Sequence, residues 1–164
     1  MTLKERLQKD LNDSLKAGNQ LKRLVLGMVI AAIKNREVIK RTGLSKTISD
    51  ISELEKQSTL NDDETLEAIA GEVKKRKESF EQYQAGGRFE LAQKEKSEID
   101  ILLNYLPTQL TEEEIRTEVK KTIAETGAKD IKDMGRVMAV VMARLKGKVE
   151  GGLVSRITKE EFAR

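Results

Sequence analysis

The stretch LLNYLPTQLTEEEI, residues 102–115, divides this chain into two helical parts. It contains Pro107, the one proline among 164 residues, directly after an apolar run that ends at Leu106. Proline disfavours α-helical geometry in the residue before it and has no amide hydrogen to donate, so a helix is predicted to end here. Thr111 and Glu114 then have the spacing of a capping box, which predicts that a new helix begins directly after Thr111.

Apolar residues recur at helical spacing on both sides of this stretch, which predicts an all-α fold. The predicted helices span about residues 3–17, 21–41, 62–85, 89–106, 112–126, 131–146 and 153–162. The segment from Thr42 to Asp63 is rich in Ser, Thr and Asp, and it fits either a mobile connection or one short helix. We expect an N-terminal domain of helical hairpins over residues 1–108 and a small C-terminal three-helix bundle over residues 109–164.

The composition excludes several classes of chemistry. The chain has no cysteine and no histidine, so disulfides, thiolate nucleophiles, Cys/His zinc sites and imidazole acid–base catalysis are all ruled out. The clustered carboxylates lie at predicted helix ends, where capping and the helix dipole explain them. We therefore predict no catalytic residue, no metal site and no cofactor.

The sequence predicts a cytoplasmic protein that does not enter a membrane. No apolar run approaches the ~18 residues that a membrane-spanning helix requires, and residues 1–6 lack the apolar core of a signal peptide. The net charge is +3 and the isoelectric point is about 9.0, which only weakly favours an anionic partner. The position of the charges is therefore more informative than their sum.

The predicted helix over residues 131–146 has two distinct faces. Its predicted core face consists of Met134, Val137, Met138, Val141, Met142 and Leu145. The opposite face consists of Arg136, Ala139, Val140 and Ala143, with Arg144 at its edge. Such a small, largely uncharged surface lets another molecule approach closely.

Positive charge is concentrated in and after this helix. Between residues 136 and 159 the cations are Arg136, Arg144, Lys146, Lys148, Arg156 and Lys159, and the one acid is Glu150, a local balance of +5. Cations also favour the negative end of a helix dipole, so the cluster fits either phosphate contact or an ordinary solvated surface. The candidate binding residues are Arg136, Ala139, Val140, Ala143, Arg144, Lys146 and Lys148.

Two other motifs have simpler interpretations. The basic run KKRK at residues 74–77 precedes Glu78 and Glu81, so i,i+4 pairing explains it as a solvated helix face rather than a nucleic-acid site. The glycine-rich segment 147–152 lacks the order of a phosphate-binding Walker A loop, and no strand precedes it. We predict that it is a turn between two helices.

Several motifs together resemble the GatB/YqeY family over nearly the whole chain. They are AIKNRE at 32–37, EID at 98–100, YLPTQL at 105–110, DMGRVM at 133–138 and KGK at 146–148. The resemblance implies an N-terminal helical part and a C-terminal three-helix bundle. That bundle is similar to the tail domain of the B subunit of glutamine-dependent aspartyl/glutamyl-tRNA amidotransferase, which helps to hold tRNA in that family.

The resemblance implies tRNA as the first partner to consider. Family members are described by the carbon–nitrogen ligase activity of the amidotransferase, with glutamine as amido donor, but the catalytic part of the B subunit has no counterpart here. Shape and phosphate recognition of tRNA by the C-terminal bundle is the leading hypothesis, with no DNA sequence specificity expected. One alternative is a non-catalytic module that docks on amidotransferase subunits or another protein through the same small face. The other is amidotransferase or glutaminase activity of the chain itself, which the family resemblance alone suggests.

Overall fold

A computed structural model describes residues Met1–Arg164, and it is all-helical without strands. The α-helices are α1 (Leu3–Lys16), α2 (Gln20–Leu44), α3 (Ile51–Ser58), α4 (Asp62–Ala85), α5 (Phe89–Leu103), α6 (Glu112–Thr126), α7 (Met134–Arg144) and α8 (Gly151–Phe162). A single 3₁₀ turn, Ile131–Asp133, precedes α7. The predicted all-α fold is confirmed.

Local sequence signals position most helix ends. The side chains of Thr2, Asn61 and Thr111 form complete capping boxes at the starts of α1, α4 and α6. Each box satisfies amide groups that have no partner within the helix. Gly18 and Gly127 follow α1 and α6 with φ of +69° and +64°, a conformation that glycine adopts without steric cost.

Several helix ends differ from the predicted ranges. Helix α2 continues three residues past Arg41, since Gly43 is tolerated within its last turn. Of the two structures predicted for the segment after α2, one short helix is the one found: α3, which Asp50 caps by accepting a hydrogen bond from the Glu53 amide. Helix α5 ends at Leu103 rather than at Leu106, because residues before the proline form tighter i,i+3 hydrogen bonds.

The chain divides into two compact units, Met1–Leu106 (unit 1) and Pro107–Arg164 (unit 2). In unit 1, α4 and α5 form an antiparallel hairpin that packs with α2, and α1 and α3 also contact α2. The core of unit 1 is mainly aliphatic, and its fully buried large side chains are Leu7, Val25, Leu26, Val29, Ile33, Ile69 and Leu102. In unit 2, α6, α7 and α8 pack pairwise around a separate core.

Tyr105, from the YLPTQL motif, fixes the end of unit 1 to its first helix. Its hydroxyl donates a short hydrogen bond to Asp10, and the Arg6 guanidinium lies over the ring at 5.0 Å. Burial and the Asp10 carboxylate raise the pKa of Tyr105 above its usual range. This tyrosine therefore has a structural role, which its position in the sequence alone did not reveal.

None of the helices has both the length and the apolar character needed to cross a membrane.

Candidate nucleic-acid interface

The candidate surface lies on α7 and on the turn that follows it. Val137 and Val141 are fully buried in the core of unit 2, together with Ile115, Val119, Val154 and Ile157. On the opposite side Ala139 and Ala143 are exposed and Val140 is half-buried, as the helical period predicts. No acidic residue occurs within α7, so its exposed face is a strip of small side chains with arginines at 136 and 144.

The start of α7 is already occupied by the chain's own carboxylates. Asp130 accepts a hydrogen bond from the Lys132 amide at 2.8 Å, and Asp133 accepts one from the Lys129 amide at 2.9 Å. The Lys129 amide is the main reason that the pKa of Asp133 lies below its usual range. Asp133 also lies 3.4 Å from the exposed guanidinium of Arg136. An anion at this helix start would therefore meet negative charge as well as positive charge.

Arg144 is held by two carboxylates of α6. Its guanidinium lies 3.0 Å from Glu118 and 2.7 Å from Glu125. Hydrogen bonds to Glu125 and Glu118 raise the pKa of Arg144 further above its ordinary value. This arginine ties α7 to α6, and the two carboxylates already compensate much of its positive charge.

Two family motifs meet at the turn after α7. Gly147 has a φ of +75°, and the Gln109 side chain donates to its carbonyl at 2.8 Å. The Leu110 amide donates to the Lys148 carbonyl at 3.0 Å, and the Lys148 amide donates back to Leu145 at 2.9 Å. The YLPTQL segment thus fastens the KGK turn, which positions the exposed side chains of Lys146 and Lys148. Sequence analysis identified both motifs but not this contact.

The cations of α8 are mostly engaged elsewhere. Arg156 lies 2.6 Å from Glu112 and 3.1 Å from Glu160, so it fastens α8 to the start of α6. Arg116 of α6 also contacts Glu160 at 2.5 Å and pairs with Glu161. The linear charge count therefore overstated the positive surface, because carboxylates of α6 pair with Arg144 and Arg156. Over the whole of unit 2, twelve Lys and Arg face ten Asp and Glu.

Unit 1 contains a buried ionic cluster that sequence analysis did not predict. Arg76, placed in the sequence on a solvated helix face, is only 5% exposed. Its guanidinium contacts Glu98 and Glu72, each at 2.9 Å, and donates a longer hydrogen bond of 3.6 Å to the sulfur of Met28. Lys74 pairs with Glu78 at 3.9 Å, as predicted for the rest of the run. Glu98 lies 22 residues from Arg76, on the next helix, so the sequence alone gives no signal of this pair.

Comparison with known families identifies the chain. The family model described as Yqey-like protein matches residues 4–162, nearly the full length. The chain belongs to the YqeY-like family. A comparison with curated proteins gave no match. The family assignment confirms the resemblance seen in the motifs.

Proposed function

We propose that this YqeY-like chain binds structured tRNA through the outer face of α7 and the turn after it. The observation that favours this function is the strip formed by the exposed Ala139 and Ala143 and the half-buried Val140. Helix α7 contributes no acid to this strip, and cations lie at both of its ends. Small side chains allow a sugar–phosphate backbone to approach the helix, and lysine or arginine at the edges can contact phosphates. Recognition would depend on shape and charge rather than on base stacking, because Phe162 is the one aromatic residue of unit 2.

The cations of this surface have different roles in the proposal. Arg136, Lys146 and Lys148 are exposed and supply the phosphate contacts. Arg144 contributes positive potential while it remains bound to Glu118 and Glu125. The surface is therefore expected to bind RNA with a moderate rather than a steep dependence on salt, since few counterions are released.

The test is the affinity for tRNA as a function of salt concentration. The variant is Arg136→Glu/Lys146→Glu/Lys148→Glu, and the matched control is Lys120→Glu/Lys121→Glu/Lys159→Glu, which changes the charge of unit 2 equally at other exposed positions. If each α7-side cation contacts one phosphate, the first variant lowers the slope of log K against log salt by about 2, and the control changes it less. Equal loss in both variants would show that only net charge matters and would overturn the proposed site.

A second candidate is docking on a protein, with amidotransferase subunits as the first partner to test. The pairing of Arg144 within the chain favours it, because a largely uncharged strip suits a protein surface as well as a phosphate backbone. Binding of purified amidotransferase that persists after RNase treatment, and that is unaffected by reversal of Arg136, Lys146 and Lys148, would support docking. Binding that disappears with RNase treatment would support tRNA.

A further inference from the structure

Methionine is the oxidisable sulfur side chain of this protein, because cysteine is absent. Three of the five methionines, Met134, Met138 and Met142, are half-buried in unit 2, whereas Met1 and Met28 are exposed. Met1 is the first residue of the chain. Met28 is therefore the exposed methionine that lies within a helix, α2, and 47% of its surface is accessible.

The sulfur of Met28 lies against a buried cation. It accepts a hydrogen bond of 3.6 Å from Nη2 of Arg76, a residue that is 5% exposed. The Nε and Nη1 atoms of the same guanidinium donate to the carboxylates of Glu98 and Glu72, each at 2.9 Å. A thioether sulfur is a weak acceptor, so Nη2 has a poorer partner than the other two nitrogens. A stronger acceptor at the position of this sulfur would be bound more tightly by the cation.

We infer that Met28 is an oxidation site, at which a peroxide converts the thioether to a sulfoxide whose oxygen accepts the hydrogen bond from Arg76. In this step a lone pair of the sulfur forms the S–O bond while the O–O bond of the peroxide breaks. The leaving oxygen takes the proton of the transferred hydroxyl and departs as water or an alcohol, so the sulfur is oxidised and the peroxide is reduced by two electrons. The flexible methionine side chain allows the new oxygen to turn toward Nη2.

The position of Met28 determines what the modification does. A sulfoxide within an apolar core disrupts packing, because it is polar. At Met28 the new oxygen instead meets a charged donor, and it links α2 to α4, the helix of Arg76. Met138 provides the contrast: its sulfur packs against the core of unit 2 and accepts from the neutral, fully buried hydroxyl of Thr158. The inference concerns unit 1 and does not rest on tRNA binding by unit 2.

The first test compares the oxidation rates of the methionines in the folded full-length chain. Hydrogen peroxide is the oxidant, and mass spectrometry of proteolytic peptides follows each methionine separately. Met28 is expected to be oxidised about tenfold faster than Met138 and Met142, because both of these are shielded by the core of unit 2. Oxidation of Met28 no faster than that of Met138 would overturn the inference.

The second test asks whether Arg76 binds the sulfoxide. The background is Met134→Leu/Met138→Leu/Met142→Leu, in which Met28 is the one methionine after Met1. Nuclear magnetic resonance signals of the Arg76 guanidinium, assigned by their loss in Arg76→Lys, are expected to shift on oxidation and to exchange more slowly with water. Adding Met28→Leu to the background controls for oxidation of Met1 and should leave the signals unchanged. Unchanged signals with Met28 oxidised would describe an ordinary exposed methionine and would overturn the inference.

The third test is the urea midpoint of unit 1, followed by the fluorescence of Tyr83 and Tyr105, which both lie in this unit. Oxidation of Met28 in the same background is expected to raise the midpoint, because Arg76 gains a stronger acceptor. An unchanged or lower midpoint would overturn the inference. Addition of Glu72→Leu/Arg76→Leu/Glu98→Leu removes the donor together with its carboxylates, and oxidation should then no longer raise the midpoint. An equal rise without Arg76 would also overturn the inference.

Discussion

Replacing Arg76 with methionine should destabilise unit 1 far more than a surface substitution does. Glu72 and Glu98 are 8% and 5% exposed, and each lies 2.9 Å from the Arg76 guanidinium. Glu98 depends on Arg76 for compensation of its buried charge, whereas Glu72 also pairs with Lys75 at 2.8 Å. Breaking a buried ion pair by removing one partner costs about 3–5 kcal/mol, because a charge is left uncompensated. We expect the free energy of unfolding of Arg76→Met to fall by about this amount at pH 7.

Tyrosine fluorescence during urea unfolding can report on unit 1 alone. Tyr83 and Tyr105 both lie in unit 1, and the chain contains no tryptophan. Lys74→Met is the control, because it removes a cation from the same helix at an exposed site paired only weakly with Glu78. The control should change the free energy of unfolding by less than about 0.5 kcal/mol. A loss below about 1 kcal/mol in Arg76→Met would refute the reasoning, because it would show that the pair is solvated.

The pH dependence of the stability provides a second check on the role of Arg76. In the wild type, burial raises the pKa of Glu72, but hydrogen bonds from Lys75 and Arg76 outweigh burial and the net pKa is lowered. Burial and the charge of Glu98 raise the pKa of Glu95, and the charge of Arg76 opposes that rise. Without Arg76 both folded-state pKa values move up, so the folded variant binds protons more readily than the folded wild type. The difference in stability between wild type and Arg76→Met should therefore shrink from pH 7 to pH 5.

Replacing the whole cluster separates charge burial from packing. Glu72→Leu/Arg76→Met/Glu98→Leu removes all three charges and leaves side chains of similar volume. Such replacements are often neutral or stabilising by about 1–4 kcal/mol. If the triple variant lost as much stability as Arg76→Met, the ionic contacts themselves would be the source of stability, contrary to the reasoning above.

Four further substitutions test unit 2 by thermal unfolding followed at 222 nm. Thr122→Val should raise stability by about 1 kcal/mol, because the fully buried Thr122 hydroxyl has no hydrogen-bond partner; a decrease would show that the site requires the hydroxyl. Gly127→Ala should lower the free energy of unfolding by about 1–2 kcal/mol, because φ at Gly127 is +64°. Gly135→Ala is the control: apart from its chain neighbours and the backbone of its own helix, no atom lies within 4 Å of the added methyl group, so this variant should not destabilise unit 2. Gln109→Ala should lower the free energy of unfolding by about 1 kcal/mol, because the Gly147 carbonyl loses its hydrogen-bond donor. Amide hydrogen exchange at residues 145–150 should become faster for the same reason, and unchanged exchange would contradict this.

Sequence patterns located the helices well because their end signals are local. The boxes at Thr2 and Thr111 act through residues three positions apart, so one sequence contains the whole motif. The predicted 131–146 helix was less accurate at its ends. Side-chain hydrogen bonds of Asp130 and Asp133 favour a 3₁₀ turn before α7, and the helix ends at Arg144 rather than at Lys146.

Burial was harder to predict than helicity. Leu21, Leu24, Met28 and Val38 keep a helical period, but the period does not show which of two apolar faces enters the core. In α2 the buried face is set by packing against α1, α4 and α5, and α4 and α5 are distant in sequence. The same reason applies to charge, since Arg76 is neutralised by Glu98, twenty-two residues away on the next helix.

The proposed binding residues of α7 stay a prediction, but the structure shows why a linear charge count was misleading. Glu118 and Glu125 belong to another helix, and they meet Arg144 only after unit 2 has folded. The exposure of Ala139 and Ala143 followed directly from the helical period.

The hydrogen bonds from Gln109 and Leu110 to the turn after α7 have a practical consequence for fragment design. A fragment that begins at Thr111 would retain the complete capping box and every helix of unit 2, and a design based on helix limits would favour it. It would nevertheless lack both donors that hold the carbonyls of Gly147 and Lys148. An excised domain intended to keep this loop in place should therefore begin no later than Pro107.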